Sequence, residues 1–200
     1  VGFRNAVCEN GYYAISKDEL KKVCDTWRIP IVEDAAESLG SEYKNQPTGS
    51  IGEMGVFSFN GNKIVTCGGG RAIVTNNEQL YLYAVKYRDN NKPYFHDVGT
   101  NSKMSEQDCA QILVRAKYID EWQKRRSEIA KYWCESFREL SLTCLSDTTD
   151  PHAHQKFVMY LPDRNSLHTH LLTDGIDSKI HYEYVLGDLP TSKTLSKPDM

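Results

Sequence analysis

A helical repeat that runs without a break into a short apolar segment ending in two carboxylates is hard to place outside an α/β architecture. Ser16-Lys17-Asp18-Glu19 is an S-x-x-E helix start, and Leu20, Val23, Cys24 and Trp27 follow at helical spacing. Ile29-Pro30-Ile31-Val32 is then an apolar strand that stops at Glu33-Asp34. This is the α-then-β half of a βαβ crossover, and it predicts a sheet with parallel strands. Open α/β sheets place ligand groups at the C-terminal ends of such strands, where Asp34 falls.

The rest of the chain continues the pattern. Residues 43–54, with Pro47, Gly49 and Gly52, read as a loop. Val56–Phe59 and Ala72–Thr75 read as short strands separated by the turn Gly68–Gly70, and Glu78–Tyr87 as a helix. Residues 88–103 are polar and rich in turn formers. From Ser105 to about Leu140 the pattern is helical, with Ile112, Ala116, Ile119, Trp122, Ile129, Trp133 and Phe137 on the apolar face. The stretch is either one bent helix or two helices meeting near Asp120. His154–Leu161 alternates toward a strand, Ser166–Thr173 is a helix stopped by Gly175, and Ile176–Tyr182 is a last strand candidate. Residues 1–14 show no clear periodicity. An α/β part followed by a long helix and a small α+β unit predicts two domains.

Four residue types in the first part carry chemistry. Lys63 follows the strand in Phe57-Ser58-Phe59-Asn60-Gly61-Asn62-Lys63, next to Ile64-Val65-Thr66-Cys67-Gly68-Gly69-Gly70. A buried ammonium is costly unless paired or deprotonated, and a neutral amine attacks aldehydes. The other reading of Lys63 is a surface lysine in a loop. Asp34 reads either as a partner for a ring nitrogen or as a helix N-cap. Ser58 is placed to donate to a phosphate, and the three glycines read as a close backbone approach or as a tight turn. Lysine, aspartate and serine in this arrangement are what a protein needs to hold pyridoxal 5′-phosphate (PLP).

Composition narrows the alternatives. A formal net charge of −3 gives no broad attraction to nucleic acid or to an anionic membrane. No apolar run reaches membrane-spanning length, and no signal-peptide pattern opens the chain. None of the six cysteines forms a C-x-x-C pair, and Cys24 and Cys109 read as buried free thiols inside helices. These features predict a cytoplasmic, reduced protein. His152-x-His154 is a metal pair or an exposed loop; no third ligand is evident, so no metal is expected. His168 and His170 read as solvated.

Four motifs in order make the chain resemble the DegT/DnrJ/EryC1/StrS family of PLP-dependent nucleotide-sugar aminotransferases. Glu33-Asp34-Ala35-Ala36-Glu37-Ser38-Leu39-Gly40 matches E-D-A-A-[HEQ]-x-x-G, and Phe57 to Lys63 matches F-S-F-x-x-x-K. Gly99-Thr100-Asn101-Ser102-Lys103-Met104 is similar to G-x-N-x-R-M, and Gly175-Ile176-Asp177-Ser178-Lys179-Ile180-His181-Tyr182 to G-I-x-x-x-I-H-Y. The Asn-Gly-Asn-Lys form resembles the subgroup that makes UDP-linked 4-amino sugars. The resemblance implies part of a fold-type I aminotransferase. Residues 1–112 would be the C-terminal part of the large PLP domain and residues 113–200 an incomplete small domain.

By the same resemblance, Lys63 is the Schiff-base lysine and proton carrier, and Asp34 pairs with the pyridinium nitrogen. Glu37 lies near the cofactor's 3-oxygen and Ser58 binds its phosphate. Asn101 reaches that phosphate from the other subunit of a homodimer, and His181 lines the substrate entrance or packs structurally. The implied reaction moves an amino group from glutamate to a nucleotide-linked 4-keto-6-deoxy sugar. Lys63 argues against the related dehydratases, which carry histidine there. Three departures stand beside this. Family chains are nearly twice as long, with the Gly-Thr-Ser phosphate loop in the N-terminal part absent from this chain. Arg71 replaces a usual glycine, adding bulk and charge beside the cofactor loop, and Lys103 replaces the usual arginine. The alternative is therefore an inactive remnant, or one part of a split enzyme, and a remnant would expose large apolar patches.

Overall fold

The computed structural model describes residues 17–93, 97–144, 151–180, 183–184 and 188–189. Its helices and strands run in the order α1 (Lys17–Trp27), β1 (Val32–Asp34), β2 (Glu42–Tyr43), β3 (Gln46–Pro47), β4 (Met54–Ser58), β5 (Arg71–Val74), α2 (Glu78–Tyr87), α3 (Glu106–Ala116), α4 (Ile119–Glu139), β6 (Thr143–Cys144), β7 (Met159–Tyr160) and α5 (Arg164–Thr173).

The helix-to-strand unit forms, with its strand shifted toward the carboxylates. Arg28 takes φ 53 and the Ile29 amide returns to the Cys24 carbonyl at 2.8 Å, which closes α1 and turns the chain. Pairing starts only at Val32, opposite Met54, and carries Glu33 and Asp34 inside β1. Three strands lie in the order β1-β4-β5. The β1–β4 pair is parallel; β4 and β5 are antiparallel, with Ser58 opposite Arg71. The expected loop at 43–54 contains the small hairpin β2–β3. Its two turn residues, Lys44 and Asn45, have φ 50 and 62, the positive pair that a tight hairpin turn requires. No Asn-Gly marks that turn, so the sequence reads only as loop.

The long helical stretch is two helices. α3 starts at Ser105, whose hydroxyl accepts from the Asp108 amide at 3.1 Å and donates to its carboxylate at 2.7 Å. It ends at Lys117, and α4 follows after Tyr118. Cys109 is exposed, so the expectation that it is a buried thiol is corrected; Cys24 is half-buried and Cys134 buried. Helical periodicity alone does not say which turn of α3 faces the core. Most of His154–Leu161 is not strand: only Met159–Tyr160 pairs, because the preceding side chains and amides are taken by loops of the α/β part. The Ile176–Tyr182 strand is absent over the described residues 176–180, and residues 181–182 lie outside them. The Ser16 cap also lies outside the described residues.

The core of the α/β part is small. Phe59, Ile64, Val65 and Ala153 form its buried cluster, and Leu39, Phe57, Ala72, Met104, Ile112, Ile119 and Trp122 pack against it. Thus Phe59, four residues before Lys63, and Ile64 and Val65, directly after it, belong to the core, with Asn60, Gly61 and Asn62 exposed between them. The chain divides into two compact units, Val1–Met159 and Tyr160–Met200. The position 112/113 falls inside α3, within the first unit. In the second unit, Asp163 caps α5 through its carboxylate and the Ser166 amide (3.0 Å), and Gly175 with φ 75 ends it. Among the described residues no helix is long and apolar enough to cross a membrane.

Candidate active site

β1 and β4 run parallel and deliver Asp34 and Ser58 to the same end of the sheet. Both motifs continue as loops from that end. After β1, Ala35 is buried, its amide bonds the Val56 carbonyl at 2.9 Å, and the Asp34 carboxylate accepts from the Ala36 amide at 3.1 Å. Asp34 thus supports its own turn while staying exposed at the strand end. Gly40 closes this loop with φ 84; a Cβ there would lie 1.8 Å from the Gln123 side-chain nitrogen of α4. The positive φ favours glycine here, and any Cβ would also displace the Gln123 side chain, whose amide donates to the Leu39 carbonyl.

After β4, the chain makes a turn in which the Lys63 amide bonds the Asn60 carbonyl at 2.9 Å. Ile64 and Val65 then plunge into the core, and Arg115 of α3 holds the Thr66 carbonyl at 2.7 Å. Gly70 leads into β5, where Arg71 is exposed and sits in register with Ser58. Arg71 is in extended strand, a backbone that needs no glycine. Ser58 Oγ accepts a long 3.4 Å contact from the Asn60 amide, and among the described residues its hydroxyl proton goes to no acceptor.

Lys63 is not a solvated loop lysine. Its side chain is 13% exposed, and its Nζ donates to Glu37 Oε1 at 2.8 Å. The same oxygen accepts from Lys156 Nζ at 2.5 Å. Burial acts to raise the Glu37 pKa, but the hydrogen bonds from Lys156 and Lys63 outweigh it and hold the carboxyl at about 2. Glu37 and Lys63, assigned to the site separately, are brought together. Lys156 was not foreseen: 119 positions separate it from Glu37, and no motif surrounds it.

Lys156 arrives on a segment that is tied down throughout. The Pro151 carbonyl accepts from the Glu42 amide at 2.9 Å, and the Ala153 amide donates to Ser41 Oγ at 2.8 Å. Gln155 accepts from the Ile64 amide at 3.0 Å and donates to the Asn62 carbonyl, gripping both sides of Lys63. Phe157 packs edge-on against Trp133 of α4, with centroids 4.8 Å apart. His152 and His154 are half-buried here, which corrects the exposed-loop expectation, with their Nδ1 atoms 3.2 Å apart. Among the described residues no group of three or more His, Cys, Asp or Glu side chains is placed to hold a metal ion.

Glu33 has a role that its neighbours in sequence do not signal. Its carboxylate accepts from the amides of Gly49, Ile51 and Gly52 at 2.9, 2.6 and 2.7 Å. It locks the loop before β4 against β1 and so fixes the relative positions of Asp34 and Ser58. Asn101 lies on the exposed loop after α2, bridged to Asp89. Lys103 holds Asp89 Oδ1 at 3.1 Å, and that hydrogen bond keeps the Asp89 carboxyl below its ordinary range. His181 lies outside the described residues.

A shielded amine held by a carboxylate, a strand-end aspartate and a serine with an undonated proton suit a phosphate-bearing aldehyde on a nitrogen ring. This donor set fits PLP.

Comparison with known proteins agrees with that chemistry. The sequence pattern of the DegT/DnrJ/EryC1/StrS aminotransferase family matches residues 11–198. The chain is 32% identical over 172 residues to dTDP-3-amino-3,4,6-trideoxy-alpha-D-glucose transaminase of Streptomyces venezuelae, covering 82% of this chain and 45% of the relative. It is 27% identical over 192 residues to UDP-4-amino-4,6-dideoxy-N-acetyl-beta-L-altrosamine transaminase of Campylobacter jejuni, covering 89% and 51%. Among solved structures, S. venezuelae DesV in complex with a ketimine intermediate superposes with a TM-score of 0.84 at 26% identity, over 94% of this chain and 52% of that one. The fold is accordingly part of a fold-type I aminotransferase, and the chain spans about half the length of the curated relatives it matches.

Proposed function

Because the chain belongs to the DegT/DnrJ/EryC1/StrS aminotransferase family, we propose that its site takes part in PLP-dependent transamination of a nucleotide-linked 4-keto-6-deoxy sugar, with glutamate as amino donor. The observation that carries this reading is the Lys63 amine, shielded and held by Glu37 at the sheet end that also presents Asp34 and Ser58. When bound, PLP supplies an electron sink that stabilises negative charge on the carbon next to the transferred nitrogen.

The chain's own residues do the rest. Lys63 would hold the cofactor through Nζ and would hold or move a proton at the reacting carbon. Asp34 keeps the ring nitrogen protonated. Glu37 would face the oxygen next to the reacting carbon, and Ser58 would donate its hydroxyl proton to the phosphate. In this reading Asn101 would reach a phosphate in the second subunit of a homodimer, and His181 would line the substrate entrance. By the family resemblance, residues 1–112 would belong to the large domain and residues 113–200 to the small one, although the compact units divide at Met159.

Exposed apolar side chains favour a second reading. Val32 is 60% exposed, Ile73 53% and Trp27 73%. In this reading the 200 residues are a catalytically inactive remnant, or one part of a split aminotransferase that needs a partner chain.

One experiment separates the two: treatment of the chain with PLP, reduction with borohydride, and mapping of the modified peptide. A pyridoxyl adduct confined to Lys63 is the expected result. No adduct, or adducts scattered over surface lysines, overturns cofactor binding by this chain alone.

A further inference from the structure

We infer that Lys156 is a positioning residue that releases Lys63 from Glu37, so that Lys63 can give up its proton without leaving the carboxylate unpaired. The inference deepens the proposed function and rests on its placement of Lys63.

Both ammonium groups bond the same oxygen, Glu37 Oε1. With Lys63 as sole partner, deprotonating its amine would strand a half-buried carboxylate. That cost would hold the proton on Lys63. With Lys156 in place, the Glu37–Lys156 pair stays complete and neutral when the proton leaves Lys63. Lys156 is itself restrained, because the flanking Gln155 bonds both sides of Lys63 and the adjoining Phe157 packs on α4. These contacts hold the backbone that carries Lys156 beside the Lys63 loop. Other charged groups nearby are committed elsewhere. Asp34 accepts from the Ala36 amide, Arg126 of α4 bonds the His154 carbonyl at 2.9 Å, and the His152 and His154 rings face each other.

The test needs no cofactor. Acetic anhydride labels neutral amines, and peptide mass spectrometry reads the extent at each lysine between pH 7 and 11. Lys131 on α4, 79% exposed, serves as the internal reference. Lys156→Met is expected to move the Lys63 labelling midpoint up, with Lys131 unmoved. Lys156→Arg keeps the cation and is expected to restore the midpoint. Glu37→Gln is expected to move it down. An unchanged Lys63 midpoint in Lys156→Met, with Lys131 labelling as in the parent chain, overturns the inference. So does a shift that Lys156→Arg fails to reverse. The borohydride result bears on cofactor binding alone, so either reading can fail while the other stands.

Discussion

The loop around Lys63 and the outer faces of the same α/β unit are built by opposite rules. Around Lys63 nearly every group has a partner from this chain: Phe59, Ile64 and Val65 are buried, Gln155 bonds both sides of the lysine, and Glu37 takes its amine. On the outer faces, α2 buries no residue, and Tyr81, Leu82 and Tyr83 are exposed along it. β1 and β5 likewise present Val32 and Ile73 uncovered. The difference teaches that the amine site is closed by this chain's own residues, while the sheet that carries it is not covered by them. A site can be locally preorganised on a scaffold whose burial is incomplete.

Four experiments break or sharpen that comparison. Lys63→Ala removes the shielded amine assigned to the cofactor, so the borohydride-fixed adduct should vanish; an adduct persisting at the same intensity sinks the assignment. Val65→Ala hollows the core that anchors the lysine. It should cost about 2 kcal/mol in urea denaturation, and a cost near zero would mean the loop is not held by its core. Acid should act more gently. The Glu37 carboxyl, held at about 2 in the folded chain against an ordinary value of 4.5, contributes stability that is full above 4.5 and fades as pH falls toward 2. Glu37→Gln should flatten the denaturation midpoint over that window, and an unaltered slope would show that the ion pairs add nothing. Smallest of all, Ile73→Thr on the open face should change stability by less than about 0.5 kcal/mol. A loss as large as that of Val65→Ala would mean that this face is already covered.

Much of the local backbone of the candidate site was readable because its motifs are local. The E-D-A-A-E run encodes a strand end, a turn that Asp34 stabilises through the Ala36 amide, and Glu37 three residues on. The F-S-F-N-G-N-K run encodes a strand end and the turn that Asn60 closes. The helix start at Ser105 was legible for the same reason, since its hydroxyl satisfies an amide only three residues away, whereas the helix read from Ser166 begins at Arg164, behind an Asp163 cap that was not read. The strand expected at His154–Leu161 failed because alternation reports one exposed and one buried face, and this segment is instead partnered by loops from 41 to 64. The Lys44-Asn45 turn was hidden because neither residue is glycine, although both adopt positive φ.

Local order was therefore determined by the sequence alone: an α/β chain, two strand ends carrying Asp34 and Ser58, a lysine between a strand and a glycine-rich turn, and the family to which they belong. Only the tertiary structure decided which of these groups meet. Glu33 closes on amides 16 to 19 positions away, and Lys156 reaches Glu37 across 119. Hydrogen bonds and ion pairs act over about 3 Å of space with no regard for distance along the chain. A periodic pattern records the face a residue turns to the core, and the carboxylate waiting there is set by the fold.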